Sequence, residues 1–204
     1  MIEAEFTNFE TGNVSADKQI FNLAIAFHEA ALRSAEGIED IETGATVSPT
    51  SPMIVNFGFA AELYLKALLS LTTSQTIKNH RLNVIFQRLP SCDQTAIAAK
   101  YHLLNGRHTK QLLSDILSFS HAFVEWRYIY EQGTIQINVQ CLVHFCQAVY
   151  TVVISKKPDW TATSYLNQRI SSQLSHPIFD VKNLGGGAFV RLAGYPTISS
   201  GLKK

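Results

Sequence analysis

Apolar residues recur at three- and four-residue steps along most of the first 157 positions, and that recurrence predicts a series of helices. In the first, from about Ala16 to Glu36, the apolar positions are Ile20, Leu23, Ala24, Phe27, Ala31 and Ala35, and Gly37 closes it. Residues 37–52 keep no period and are rich in Gly, Ser, Thr and Pro, so they read as a loop. That loop is long beside the usual ~4–6 residues of a connection, which suits a mobile segment or a lid. A second helix, 53–72, is apolar nearly all round, as a helix buried on several faces must be. Asn79-His80 opens a short helix over 80–89, stopped by Pro90. Ser91 caps the next, over 92–104, which ends at Asn105-Gly106. A long helix over 109–131 carries Leu112, Leu113, Ile116, Leu117, Phe119, Phe123, Trp126 and Tyr130, with Gly133 just beyond. The last, over 136–155, is rich in β-branched residues, which suit a strand, but its length favours a helix.

The pattern changes after Lys156-Lys157-Pro158, where Ser, Thr, Asn and Gly become frequent. A short helix over 162–174 and an extended segment at Ala188–Leu192 are expected there. Residues 1–16 read as a loose leader. The expected fold is all-α, a bundle of five to six helices over residues 1–157 followed by an irregular C-terminal arm over 158–204.

Composition narrows the picture. Hydrophobic residues are 46% of the 204, enough for a sizeable core. Formal net charge is +1, so the total charge gives no electrostatic reason to expect nucleic acid or a membrane surface, although a local basic groove is compatible with it. The start, MIEAEFTNFE, lacks the basic flank and apolar run of a signal peptide. The longest apolar candidate is interrupted by Glu62 and Lys66, short of the ~20 residues of a span. Cys92, Cys141 and Cys146 are odd in number, which reads as free thiols in a reducing compartment. A cytoplasmic protein without membrane association is expected.

Three stretches carry the candidate chemistry. Glu62 and Lys66 are one helical turn apart, and Val55, Phe59 and Leu69 share their face. A charged pair inside an apolar stripe is an internal network, a surface pair or a ligand site, and charges that are covered need partners. His80 stands at a helix start, where the dipole disfavours imidazolium; it reads as a structural group or as a catalytic one. Arg127, between Trp126 and Tyr128, suits an anion or phosphate contact, or an ion pair with Glu62, Glu125 or Glu131 that fixes helix register. Together Glu62, Lys66, His80 and Arg127 form the candidate ligand-binding set, lining one interhelical cleft. His102 and Arg107-His108 read as polar decoration of a turn. Cys141, His144 and Cys146 do not share one helix face, so no metal is expected. Gly185-Gly186-Gly187 lacks the Gly-Lys-Ser/Thr ending of a phosphate loop, and no cofactor is expected.

Ala61-Glu62 through Lys66-Ala67-Leu68-Leu69, then His80-Arg81-Leu82, then the aromatic Phe123–Glu131 with Arg127-Tyr128 resemble the HEPN domain family over about residues 18–155. The resemblance implies an up-and-down helical bundle that commonly forms a homodimer. It also implies roles in RNA cleavage, toxin–antitoxin pairs, phage defence or nucleotide binding, with a cognate antitoxin or a nucleotidyltransferase-type protein as partner. Many members are metal-independent ribonucleases with an Arg followed, after four to six residues, by a His. Here the residues after Arg127 are Tyr128, Ile129, Tyr130, Glu131, Gln132, Gly133 and Thr134, with no His. The spacing occurs instead at Arg169 and His176, in the C-terminal arm. The departure points to a non-catalytic binding or interaction module, with an endoribonuclease using Arg169 and His176, or His80 with Arg127, as the alternative.

Overall fold

A computed structural model describes residues 14–36, 38–39, 46–47, 50–120, 137–161, 179–184 and 187–192. The fold is an all-α helical bundle, with six α-helices among the described residues. Helix α1 (Ala16–Glu36) packs along α2 (Thr50–Thr73), and α2 packs against α6 (Val139–Lys156) and α3 (Leu82–Arg88). Helix α4 (Ser91–Asn105) covers another side of α6, and α5 (Leu112–Phe119) bridges α3 and α6. Two short antiparallel pairings lie outside the helices: β1 (Ile38–Glu39) with β2 (Thr46–Val47), and β3 (Phe179–Leu184) with β4 (Gly187–Leu192). The second contains the extended segment expected at Ala188–Leu192.

Helix α1 has the expected bounds, and its inner face is centred one step away from the expected stripe, overlapping most of it. Its buried residues are Phe21, Ala24, Ile25, His28, Glu29, Ala31, Leu32 and Ala35; of the expected stripe, Ala24, Ala31 and Ala35 are buried, Ile20 and Phe27 are partly buried against the core, and Leu23 is 48% exposed. The buried face carries Phe21, whose ring lies 5.1 Å from Trp160 and 5.6 Å from Tyr64. Trp160 belongs to the 3-10 turn Pro158–Thr161 and is itself buried.

Helix α2 starts at Thr50, inside the segment expected to be loop. Pro52 falls in its first turn, where the missing N–H has no intrahelical partner to lose. Its end is marked by Ser74 at φ +55°, whose N–H donates to the Ser70 carbonyl. Met53, Ile54, Phe57, Ala60, Ala61, Tyr64, Leu65 and Leu68 are all buried, as a helix apolar on several faces requires.

Helix α3 begins at Leu82, not at His80. The Asn79 side chain accepts from the Arg81 N–H at 2.8 Å, and Arg81 stays extended, so the chain turns before the helix starts. The helix ends because Leu89, preceding Pro90, is extended. Ser91 is the first residue of α4 and not its cap; the Pro90 carbonyl accepts from the Asp93 and Gln94 N–H groups. Gly106 closes α4 at φ +69°, as expected of Asn105-Gly106.

The helix expected over 109–131 begins as a 3-10 turn, Thr109–Gln111, capped by His108 and Gln111, and becomes α5 only at Leu112. Phe123, Trp126, Arg127 and Tyr130 lie outside the described residues, as does the expected helix over 162–174. The β-branched segment is a helix, α6. Asn138 caps it by accepting from the Cys141 N–H at 3.0 Å, and residues 141–150 are buried without a break. Burial on every side outweighs the weak helix preference of its valines.

By length and composition, Ser51–Thr73 and Val139–Lys156 are both apolar enough to cross a membrane, which the count of uninterrupted apolar residues misses. In the bundle, 67% and 72% of those windows are buried against other helices.

Candidate functional site

The Glu62 side chain is 1% exposed, on the face of α2 that meets the segment entering α3. Its Oε1 accepts from Lys66 Nζ at 2.8 Å and lies 3.0 Å from His80 Nδ1. A carboxylate oxygen is an acceptor only, so His80 carries a proton on Nδ1. Lys66 is 18% exposed and His80 58% exposed, so one buried carboxylate holds a mostly covered ammonium and an imidazole that reaches the surface. Val55 and Phe59, on the same face, are partly buried, and Leu69 is buried. The pair is therefore covered and not a solvated surface pair. It is also anchored from two elements, since His80 comes from the chain between α2 and α3.

Among the described residues Glu62 Oε2 is buried and accepts no hydrogen bond. A buried acceptor without a donor costs about 1–3 kcal/mol. Lys66 has three N–H donors, of which Glu62 takes one. The cluster thus retains both a donor and an acceptor for another group.

Of the predicted set, the structure brings Glu62, Lys66 and His80 together. Arg127, and the alternative pair Arg169 and His176, lie outside the described residues. The role imagined for the helix dipole at His80 is corrected: His80 precedes α3 and its near neighbour is the Glu62 carboxylate. Among the described residues no group of three His, Cys, Asp or Glu side chains is placed to hold a metal ion.

Sequence reasoning missed three buried polar groupings. His28 Nδ1 is 3.2 Å from the Tyr64 hydroxyl and 3.9 Å from Cys146 Sγ, between the rings of Phe57, Tyr64 and Tyr150. Burial without a charge partner pushes His28 down to about 3 and raises the Cys146 thiol well above its ordinary range, so both are neutral. In the second grouping Asp115 accepts from Tyr101 at 2.7 Å and from Arg107 through Nε and Nη2 at 2.8 and 2.9 Å. That fork holds the α4–α5 turn; burial, followed by the hydrogen bonds to Cys141 and Asp115, raises Tyr101 far above its usual range. In the third, Lys156 Nζ contacts Asp93 at 2.7 Å and ties α6 to α4. A phase signal for each was present. Asp93 shares the Ile97–Tyr101 face of α4, Asp115 sits between Leu112 and Ile116 on the buried face of α5, and His28 continues the Phe21–Ile25 face of α1.

Comparison of the chain with protein-family models, with curated proteins and with solved structures finds no match.

Proposed function

We propose that this chain is a HEPN-like helical binding module that receives an anionic group, the phosphate of RNA or of a nucleotide, at the edge formed by Lys66 and His80. The observation that carries the reading is the buried Glu62 carboxylate, which holds both the Lys66 ammonium and the His80 imidazole on one oxygen. The attraction of Glu62 fixes the ammonium in place before a ligand arrives, and preorganisation lowers the entropic cost of binding. Arg127, outside the described residues, is expected from the sequence to contact the same anion. The family resemblance adds a cytoplasmic homodimer in a defence or toxin–antitoxin setting, with an antitoxin or nucleotidyltransferase-type partner.

The test is fluorescence anisotropy of a labelled single-stranded RNA, with unlabelled nucleoside triphosphate as competitor. Binding that weakens with salt and falls in Lys66→Met is expected. Absence of binding to both ligands at low salt contradicts the reading.

One observation favours a second reading, a metal-independent endoribonuclease. The carboxylate–imidazole contact between Glu62 and His80 fixes the His80 tautomer, an arrangement that general acid–base chemistry uses. RNA cleavage in the presence of chelator, lost in His80→Ala or His176→Ala, favours the enzyme. Intact RNA at high protein concentration favours the module.

A further inference from the structure

Between Asp93 and Asp115 the sequence holds Lys100, His102, Arg107, His108 and Lys110 and no carboxylate. Both bounding aspartates are buried and engaged, Asp93 by Lys156 and Asp115 by Arg107 and Tyr101. The α4–α5 turn therefore exposes cationic and imidazole groups with no acidic neighbour from its own segment.

The turn is also built and not merely charged. Arg107 uses its Nε–Nη2 edge on Asp115, and because the guanidinium is planar, the Nη1 edge faces away from that carboxylate. Its side chain is 40% exposed. His102 Nδ1 lies 2.7 Å from the Arg107 carbonyl oxygen, which is an acceptor only, so that nitrogen bears the proton. His108 Nδ1 instead accepts from the Lys110 N–H at 3.1 Å, so the His108 proton is on Nε2. Two exposed imidazoles, one touching the carbonyl that precedes the other, are thus held with opposite tautomers. His108 Nε2 is a donor and, in the neutral ring, His102 Nε2 is an acceptor.

We infer that the α4–α5 turn is a second oxyanion site, for a phosphate of a nucleotide or polynucleotide. The outer edge of Arg107, the His108 Nε2–H and the Lys110 ammonium donate to it, and His102 accepts from a neighbouring hydroxyl such as that of ribose. The site is separate from Glu62 and Lys66 and stands whether or not that edge binds anything.

The test follows the imidazole resonances of the intact protein by NMR during titration with inorganic phosphate, a nucleoside monophosphate and a short single-stranded RNA. His102 and His108 signals are expected to shift with at least one of the three, equally in wild type and Lys66→Met. Shifts with phosphate alone identify a free-phosphate site; larger shifts with nucleotide or RNA identify the ribose-bearing source. The double variant His108→Asn/Lys110→Gln keeps a side-chain acceptor for the cap while removing both donors. It should keep the wild-type melting temperature and lose about tenfold in affinity for whichever ligand shifts the signals, the scale of two lost phosphate contacts. No shift with any of the three, or unchanged affinity in a folded double variant, overturns the inference.

Discussion

Acid should destabilise this bundle through His28, and the size of the effect follows from its surroundings. The ring is fully buried, its Nε2 has no hydrogen-bond partner among the described residues, and its folded value is about 3 against an ordinary 6.5. An unfolded chain takes up a proton near the ordinary value, whereas the folded chain resists until near the lower one. The stability linked to His28 is therefore fully present above the ordinary value and is lost as pH falls below it. At about pH 5 the unfolded ring is charged and the folded ring neutral, so the loss is about 1.5 pH units, or about 2 kcal/mol at ~1.36 kcal/mol per unit. His144, buried in α6 and pushed down to about 4 by desolvation, adds a similar amount. Urea unfolding followed by circular dichroism at about pH 7.5 and about pH 5 measures the difference. His28→Gln keeps a polar side chain that does not titrate, so its loss on acidification should be about 2 kcal/mol smaller than that of wild type. Equal losses in the two proteins would refute the argument, because acid sensitivity would then come from groups other than this imidazole.

Three further outcomes test separate parts of the fold. Tyr101→Phe removes one donor from the buried Asp115 while leaving Arg107 in place, and should cost about 1–2 kcal/mol by chemical denaturation. Gly106→Ala meets no atom within 4 Å, so backbone strain at φ +69° is its only penalty, and about 1 kcal/mol of lost stability is expected. A thiol reagent should modify Cys92 rapidly in the native protein and reach Cys141 and Cys146 only in denaturant, since those two are buried; mass spectrometry counts the adducts.

The helices were legible because most of them bury a stripe with helical spacing, and α1, α2, α4 and α6 fall within a few residues of their expected bounds. What escaped was decided by hydrogen bonds and by tertiary choice. The start of α3 moved because Asn79 turns the chain, and α4 begins at Ser91 because the Pro90 carbonyl, not the serine hydroxyl, meets the first free N–H groups. In α1 the expected stripe holds except at Leu23, and packing of Phe21 against Tyr64 and Trp160 turns the centre of the buried face toward Phe21. The Glu62–Lys66 contact was readable from its spacing alone, whereas His80 comes from 18 residues away and needed the fold to reach the same oxygen. The Asp115 fork escaped because Arg107 sits in a turn, where no periodicity reports which way a side chain points.

In the proposed function Glu62 organises a binding edge and not only a helix contact. A double-mutant cycle with Glu62→Gln and Lys66→Met, read both as unfolding free energy and as RNA or nucleotide affinity, tests this most directly. Removing either partner alone should be destabilising by about 1–3 kcal/mol, since Lys66 is partly exposed and His80 also meets Glu62, with the double variant partly restored. Coupling between the two positions in ligand affinity as well as in stability is the expected result. Coupling in stability alone, with affinity unchanged across the cycle, would contradict it and leave the cluster as a purely structural ion pair.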